Sequence, residues 1–496
     1  MLRSTHALVA RLALSTLALG ALSACADNTA APTRTLAPSS SSADVVAAPT
    51  NGTYLVLARD AGFSKDFERE VSALGGKIRA RHDGAGFAIV TGLTAAGASS
   101  LSAAGGVGEV DADGVVTLAK PVTNIMPDAF LVADHQAKAD IDPTAALGFS
   151  RQWNMVDISA PRAWAAGKFG SKRVTVAIID TGIDYDADDL NGLVDLSRSV
   201  SLSAGDDSIT AEFFPDRNPI TDYNGHGTNV ATQVSSNARV FAGVTAKTTL
   251  LGVKVLGVDG SGSTGDVLNG ILWAADHGAD VANLSLGGSF ASAGNRRLIR
   301  IITRVLDYAR RKGVVVVVAA GNDATDLDHN GNEFDAYCDL QHVICVSAVG
   351  PEAATGSLDV TAFYTNSGRA VDVAAPGGNM ALEPITSLWP WGADSISWVW
   401  SRCSKTFIPG FISGVPFVPC ASGSFVIGAI GTSQAAPHVS GLAALLVDEY
   451  GKNNPALIRL LIEASADDLG RRGKDPFYGR GRINVANALG LRPLTH

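Results

Sequence analysis

The spacing of apolar and polar positions divides the chain into two folded regions. Tyr54 to Ala58 reads as a strand, and Lys65 to Leu74 as an amphipathic helix closed by Gly75-Gly76. Lys77 to Arg81 and Phe87 to Val90 read as strands, Thr94 to Ala104 as a small-residue helix, and Val115 to Leu118 as a last strand. The order β-α-β-β-α-β predicts a small ferredoxin-like α+β domain over residues 51–120. By itself that fold implies no function. Residues 121–150 carry no strong periodicity and read as a linker.

From residue 151 the pattern changes. The β-branched runs Val174 to Ile179, Leu250 to Leu256, Val281 to Leu286 and Val314 to Ala320 alternate with helical stretches near Asp266 to His277 and Arg296 to Lys312. Continuously apolar strands separated by helices predict an α/β domain over residues 151–492, a doubly wound, mainly parallel sheet with helices on both faces. In such sheets the sites gather at the carboxyl ends of the strands.

The N-terminus has a different character. Arg3 and Arg11 precede a short apolar run, Leu12 to Leu22, which is too short for a membrane helix and reads as an export signal over residues 1–25. It ends Leu22-Ser23-Ala24-Cys25, which resembles a bacterial lipobox with Cys25 as the lipidated residue; an ordinary signal cut at the small-x-small string Ala24-Cys25-Ala26 is the competing reading. Residues 26–50, rich in Ala, Ser, Thr and Pro, read as a flexible tether. The expected location is therefore periplasmic or outer-membrane-anchored, or secreted, with a lipid anchor as the sole membrane attachment. The net charge of −9 argues against a nucleic-acid surface, which needs a basic field. Besides Cys25 there are four cysteines, Cys338, Cys345, Cys403 and Cys420, an even number suited to disulfides in an exported chain. Sequential pairing, Cys338 with Cys345 and Cys403 with Cys420, is the economical choice, with a buried free thiol at Cys345 as its competitor.

Three strings carry candidate chemistry. Asp180-Thr181-Gly182 follows a buried strand at once, so its acid stands at the sheet's functional edge, although Asp-x-Gly is also a common turn. Asn224-Gly225-His226-Gly227-Thr228 sets an imidazole, which titrates near neutrality, between two glycines. His438, in Pro437-His438-Val439, reads instead as a packed helix residue. Gly431-Thr432-Ser433-Gln434 opens an apolar helix, where unpaired N–H groups and the helix dipole favour a developing anion; a plain N-cap serine is the bland alternative.

Together these strings resemble the subtilase family of serine proteases, over nearly all of residues 150–490. Ser285-Leu286-Gly287-Gly288, Ala319-Ala320-Gly321-Asn322, Asp372-Val373-Ala374-Ala375-Pro376-Gly377 and Tyr478-Gly479-Arg480-Gly481 strengthen the resemblance. It implies a subtilisin-like fold, Ser433 as nucleophile, His226 as general base, Asp180 as its partner, and Asn322 with the Ser433 N–H as oxyanion hole. It also implies protein or peptide substrates held as an added strand between Gly260, Ser261, Gly262 and Ser285, Leu286, Gly287. The resemblance makes the ferredoxin-like region a propeptide, an intramolecular inhibitor cut off somewhere in residues 119–150, and the protein a zymogen; a permanent accessory domain is the competing reading. No cofactor is required for the chemistry. Gln434 departs from the family, which usually has Met there.

Two features stay open. Residues 381–425 are an insertion holding Trp389, Trp391, Trp398 and Trp400, read either as a disulfide-closed flap or as a hairpin covering apolar surface. Asp326, Asp328, Asn330 and Asn332 alternate like calcium ligands around Gly331, but Tyr337 stands where the loop's last acid belongs, so an Asx-rich turn competes with structural calcium. Two other functions compete with the protease: a non-catalytic binding lipoprotein on the same scaffold, whose sign is loss of a triad member, and an ester hydrolase.

Overall fold

The computed structural model describes residues 52–60, 62–118, 122–125, 142–291, 294–331, 333–352, 356–379, 397–406, 426–452 and 454–491. The export signal, Cys25, the tether, Trp389, Trp391, Cys420 and Asn332 lie outside them. No helix among the described residues is long and apolar enough to cross a membrane.

The first region folds as β1 (Tyr54–Ala58), α1 (Phe67–Ala73), β2 (Lys77–His82), β3 (Phe87–Thr91), α2 (Ala95–Ser102) and β4 (Val107–Ala112). The strands form one antiparallel sheet in the order β2-β3-β1-β4. Both faces of this sheet are covered, which explains why β1 is apolar at every position rather than alternating. Tyr54, Val56, Ala88 and Val90 face the region's own helices. Leu55, Leu57, Phe87 and Ile89 join a core shared with the larger region.

The last strand differs from expectation. Val107–Ala112 completes the sheet, while β5 (Val115–Thr117) leaves it and pairs antiparallel with β9 (Ser261–Ser263). A bulge at Leu57/Ala58 breaks the β4 register, so Val107 and Val110 are buried at a spacing of three instead of two and the strand signal is lost in the sequence. The expected linker also contains a strand, β6 (Val122–Ile125), too short to show a period. It pairs with β15 (Val426–Ile430), which in turn pairs with β14 (Val399–Arg402). The described part of the insertion thus contributes a strand antiparallel to β15, with Trp398 and Trp400 buried.

The larger region is built on an eight-stranded, mostly parallel sheet. Its centre runs, in space, β12 (Val343–Gly350), β11 (Val315–Ala319), β10 (Val281–Leu284), β7 (Thr175–Asp180), β8 (Thr249–Lys254), with β13 (Val373–Pro376) also on β12. Alternate residues serve opposite faces. Val176 and Ile178 pack under α3 (His226–Val234) and α6 (Thr432–Tyr450), while Ala177 and Ile179 pack under α4 (Thr264–Asp276) and α5 (Arg296–Arg311). Each fully buried Val or Ile contributes about 1.5–3 kcal/mol by leaving water. The chain runs from β7 to β8 on one side and then crosses to β10 on the other. The strand order therefore reverses between β7 and β10, and the crevice at their carboxyl ends is the place such sheets offer a ligand.

Candidate active site

Asp180 closes β7 at that reversal and is fully buried. Its Oδ1 accepts the Thr181 N–H at 2.7 Å and the His226 Nδ1 at 2.8 Å. A carboxylate facing Nδ1 assigns the proton to that nitrogen and leaves Nε2 as the acceptor. Burial pulls the imidazole's pKa down, but the Asp180 carboxylate and, behind it, Asp222 outweigh burial and hold it above its ordinary value. His226 starts α3, and the backbone beside it is crowded. A Cβ on Gly227 would stand 2.1 Å from the Gly182 carbonyl oxygen, so only glycine lets this helix approach the Asp180 turn.

Asp222 sets the entry of that helix. Its Oδ1 accepts the Thr181 hydroxyl and the N–H groups of Asn224 and Gly225, and its Oδ2 accepts the Thr228 N–H and hydroxyl, at 2.6 to 3.0 Å. Burial pushes the Asp222 carboxyl upward, and these donors with nearby Lys254 oppose it. The sequence reading missed Asp222. Its signal was an acid just ahead of Gly225-His226, placed to satisfy the orphan donors of a helix start.

Ser433 lies in the first turn of α6, behind Gly431. Its Oγ donates to the Ser285 carbonyl at 3.0 Å, and the Ser285 hydroxyl donates to the Ser433 carbonyl at 2.8 Å. The second bond has a local cause. Pro437 sits four residues on and has no N–H for the Ser433 carbonyl, so Ser285 supplies the missing donor. Asn322 follows β11. Its Oδ1 accepts both the Thr432 N–H and hydroxyl at 2.8 Å, which fixes the amide's orientation and leaves Nδ2 as a donor. A Cβ on Gly431 would lie 2.8 Å from Gln434 Oε1 and 3.4 Å from Asn322 Nδ2. Gln434 is buried, and its Nε2 donates to Asn229 Oδ1 at 3.4 Å, tying α6 to α3. Asp180, His226, Ser433 and Asn322 thus converge on one edge of the sheet.

The expected peptide edge is engaged. Thr117 pairs with Ser261, Val116 with Gly262 and Val115 with Ser263; the Leu118 N–H donates to the Gly260 carbonyl and the Thr264 N–H to the Gly114 carbonyl, each at 2.9 Å. Further along, Val122 pairs with Ile430 and Thr123 with Ala429, in the strand that ends three residues before Ser433. Ser285 is the partner of Ser433, Leu286 is buried, and Gly287 follows in the same loop.

The remaining candidates lie elsewhere. Cys338 and Cys345 are joined, with Cα atoms 5.2 Å apart, so Cys345 is not a free thiol. Cys403 is disulfide-bonded. Asp326 accepts the Asp328 N–H and contacts His329 Nδ1, and Asp328 accepts the N–H and Nε of Arg369. These carboxylates form an Asx turn and an ion pair. Among the described residues no group of three His, Cys, Asp or Glu is gathered as for a metal ion. His438 is buried in α6 between the Gln434 carbonyl and Asn154, and burial pulls its pKa down to about 4.

A family model described as the subtilase family matches residues 171–481. Thermitase of Thermoactinomyces vulgaris is 32% identical over 343 residues, covering 68% of this chain and 96% of its own sequence. Subtilisin of Bacillus pumilus is 31% identical over 339 residues, covering 68% of this chain and 98% of its own. Among solved structures, the epidermin leader peptide processing serine protease of Staphylococcus aureus shares the fold with a TM-score of 0.65 at 22% identity, over 90% of this chain and 99% of that one.

Proposed function

The chain belongs to the subtilase family of serine peptidases, and on that premise we propose that it is a serine endopeptidase exported as a self-inhibited zymogen. Ser433 attacks the peptide carbonyl. As it does so, its proton passes to His226 Nε2 and then to the leaving amine, while Asp180 holds the tautomer and stabilises the imidazolium. The Asn322 amide and the Ser433 N–H hold the oxyanion, and water then hydrolyses the acyl-enzyme. The observation that carries this reading is the 2.8 Å contact of His226 Nδ1 with the buried Asp180 carboxylate, on a helix tied through Asn229 and Gln434 to the helix that Ser433 opens. All four groups are present, so no observation favours a non-catalytic scaffold.

The zymogen reading assigns residues 51–120 to an inhibitory propeptide and residues 151–492 to the catalytic domain. Its support is the pairing of β5 with Ser261–Ser263, the expected substrate edge, and of β6 with Val426–Ile430, the strand that leads into the helix carrying Ser433. Maturation then cuts between Leu118 and Val122, within the 119–150 stretch expected from the sequence but at its start. Export rests on the N-terminal signal, with Cys25 as the lipid attachment.

The test is the intact mass of protein lacking residues 1–25, beside its Ser433→Ala form. The wild type is expected to be cut within residues 118–122, and the variant to stay whole. Cutting of both alike, or of neither, contradicts self-processing by Ser433.

A further inference from the structure

The inserted segment reaches both catalytic helices. On one side β14 pairs with β15, where Val399 stands opposite Ala429 and Ser401 opposite Ile427, and β15 runs into the helix that Ser433 opens. The approach is close because position 428 is glycine: a Cβ there would lie 3.1 Å from the Trp400 ring. On the other side, the same strand and the residues after it follow α3, which carries His226. The Ser401 hydroxyl donates to the Asn229 carbonyl at 2.9 Å. The Ser404 hydroxyl donates to the Asp222 carbonyl, and the Thr406 hydroxyl donates to the same oxygen at 3.1 Å. The Lys405 N–H donates to Asp184 Oδ2 at 2.7 Å, and the Asp184 N–H donates to the Thr228 hydroxyl at 2.9 Å. Beyond the far end of α3, Arg402 Nε lies 3.7 Å from Asp189 Oδ2, and the Asp189 carboxylate accepts the N–H groups of Arg239, Val240 and Phe241.

A segment that only covered apolar surface would need none of these bonds. The Ser401 and Ser404 side chains belong to residues that are 1% and 0% exposed, and a buried hydroxyl is costly unless it is partnered. Their partners are carbonyls of the helix and loop that present the base. Asp222 is thereby held at two points. Its carboxylate gathers the Thr181 hydroxyl and the donors at the start of α3, and its carbonyl takes the two hydroxyls of the insertion. Thr181 adjoins Asp180, so a shift of Asp222 is a shift of His226 against its carboxylate.

We propose that residues 399–406 are a brace that positions the general base. Ser404 and Thr406 act through the Asp222 carbonyl and Ser401 through the Asn229 carbonyl, while β15 ties the brace to the nucleophile's helix. The brace fixes where His226 stands between Asp180 and Ser433 and does not touch substrate. This rests on the protease reading above and adds positioning residues to it.

The test uses full-chain protein allowed to mature to completion and a quenched fluorescent peptide running from Gly114 to Ile125. Rates are taken per folded molecule, counted from the amplitude of the thermal unfolding transition. Ser404→Ala combined with Thr406→Val removes both hydroxyls from the Asp222 carbonyl. It is expected to lower kcat by about 10- to 100-fold with KM within about threefold, the scale on which a catalytic group about 1 Å out of place loses rate. Thr406→Ser keeps its hydroxyl and is expected to match wild type. Ile302→Val, on α5 across the sheet from α3, controls for lost stability alone: a lower melting temperature at unchanged kcat. Should the double variant fail to fold, Thr406→Val and Ser401→Ala singly are each expected to lower kcat by about 3- to 10-fold. A kcat within about threefold of wild type for the double variant, or unchanged for both single variants, overturns the brace and leaves the protease standing. A raised KM at unchanged kcat also overturns it, because these hydroxyls would then serve substrate binding. Absence of cleavage by wild type above a Ser433→Ala blank overturns both readings.

Discussion

Gly227→Ala isolates how closely the base and its carboxylate must be held. The added Cβ would stand 2.1 Å from the Gly182 carbonyl oxygen, against the 3.4 Å at which ordinary contact begins. The α3 helix and the Asp180 turn must therefore separate by about 1.3 Å, a displacement of the size that overpacked interiors resist. Neither side retreats easily. The Thr181 hydroxyl that accepts the Gly227 N–H is itself held by Asp222. The far side of α3 is pinned where the Ser401 hydroxyl donates to the Asn229 carbonyl at 2.9 Å. Strain of this kind costs about 1–3 kcal/mol of stability. Misplacing a catalytic group by about 1 Å costs on the order of 10²-fold in rate. His226 adjoins the clash, so its 2.8 Å bond to Asp180 lengthens directly. The expected result is self-processing of the full chain slowed by about 100-fold, with a lowered melting temperature. Gly205→Ala is the control, because nothing lies within 4 Å of its Cβ. Processing of Gly227→Ala within about threefold of wild type, at an unchanged melting temperature, would refute the argument that this contact sets the geometry.

Three further outcomes follow from the site. Asn322→Ala should lower kcat by about 10²–10³ while leaving KM within a few-fold, as for loss of one oxyanion donor; steady-state kinetics on the Gly114-to-Ile125 peptide separate the two. The His226 pKa is raised by Asp180, and the base works only when neutral, so kcat/KM should fall as pH drops through that raised value, and Asp180→Asn should move the limb to lower pH. His438 is neutral and buried with a pKa of about 4 against 6.5 for the free side chain. Its contribution is therefore complete above about pH 6.5 and is lost as pH falls towards 4, up to about 3 kcal/mol, which denaturant titrations at pH 7 and pH 4.5 compared with His438→Gln would detect.

The parallel core was legible because its strands are buried on both faces and so appear as unbroken apolar runs, such as Val315–Ala319. The three chemical strings were legible because each carries its local geometry with it: an acid ending a strand, an imidazole between glycines, a serine opening a helix. What escaped was non-local. Asp222 acts on Thr181, forty-one positions away, and Ser285 exchanges hydrogen bonds with Ser433 across 148 positions. No period or spacing encodes either. The assignment of Val115 to Leu118 to the small sheet failed for a related reason. Those residues do form a strand, but their partner is Ser261–Ser263 in the other region, and a sequence pattern names a strand without naming its neighbour.

On the zymogen reading proposed above, the doubly covered sheet of the small region bears on whether activation can run backwards. One of its faces, carrying Leu55, Leu57, Phe87 and Ile89, is buried against α4 and α5, close enough that a Cβ on Gly265 would lie 2.9 Å from Leu55 Cδ2 and 3.1 Å from Ile89 Cδ1. Once the connecting peptide is severed, partnership between the two pieces becomes a matter of concentration, no longer of tethering. A released small piece of some seventy residues would expose that apolar face to water, and domains of about that size have little stability to lose. It would spend more time open, and an open chain in the presence of a peptidase is food. Re-inhibition then competes with digestion, and dilution favours digestion, so the same packing that holds the intact protein together makes its separation a one-way step.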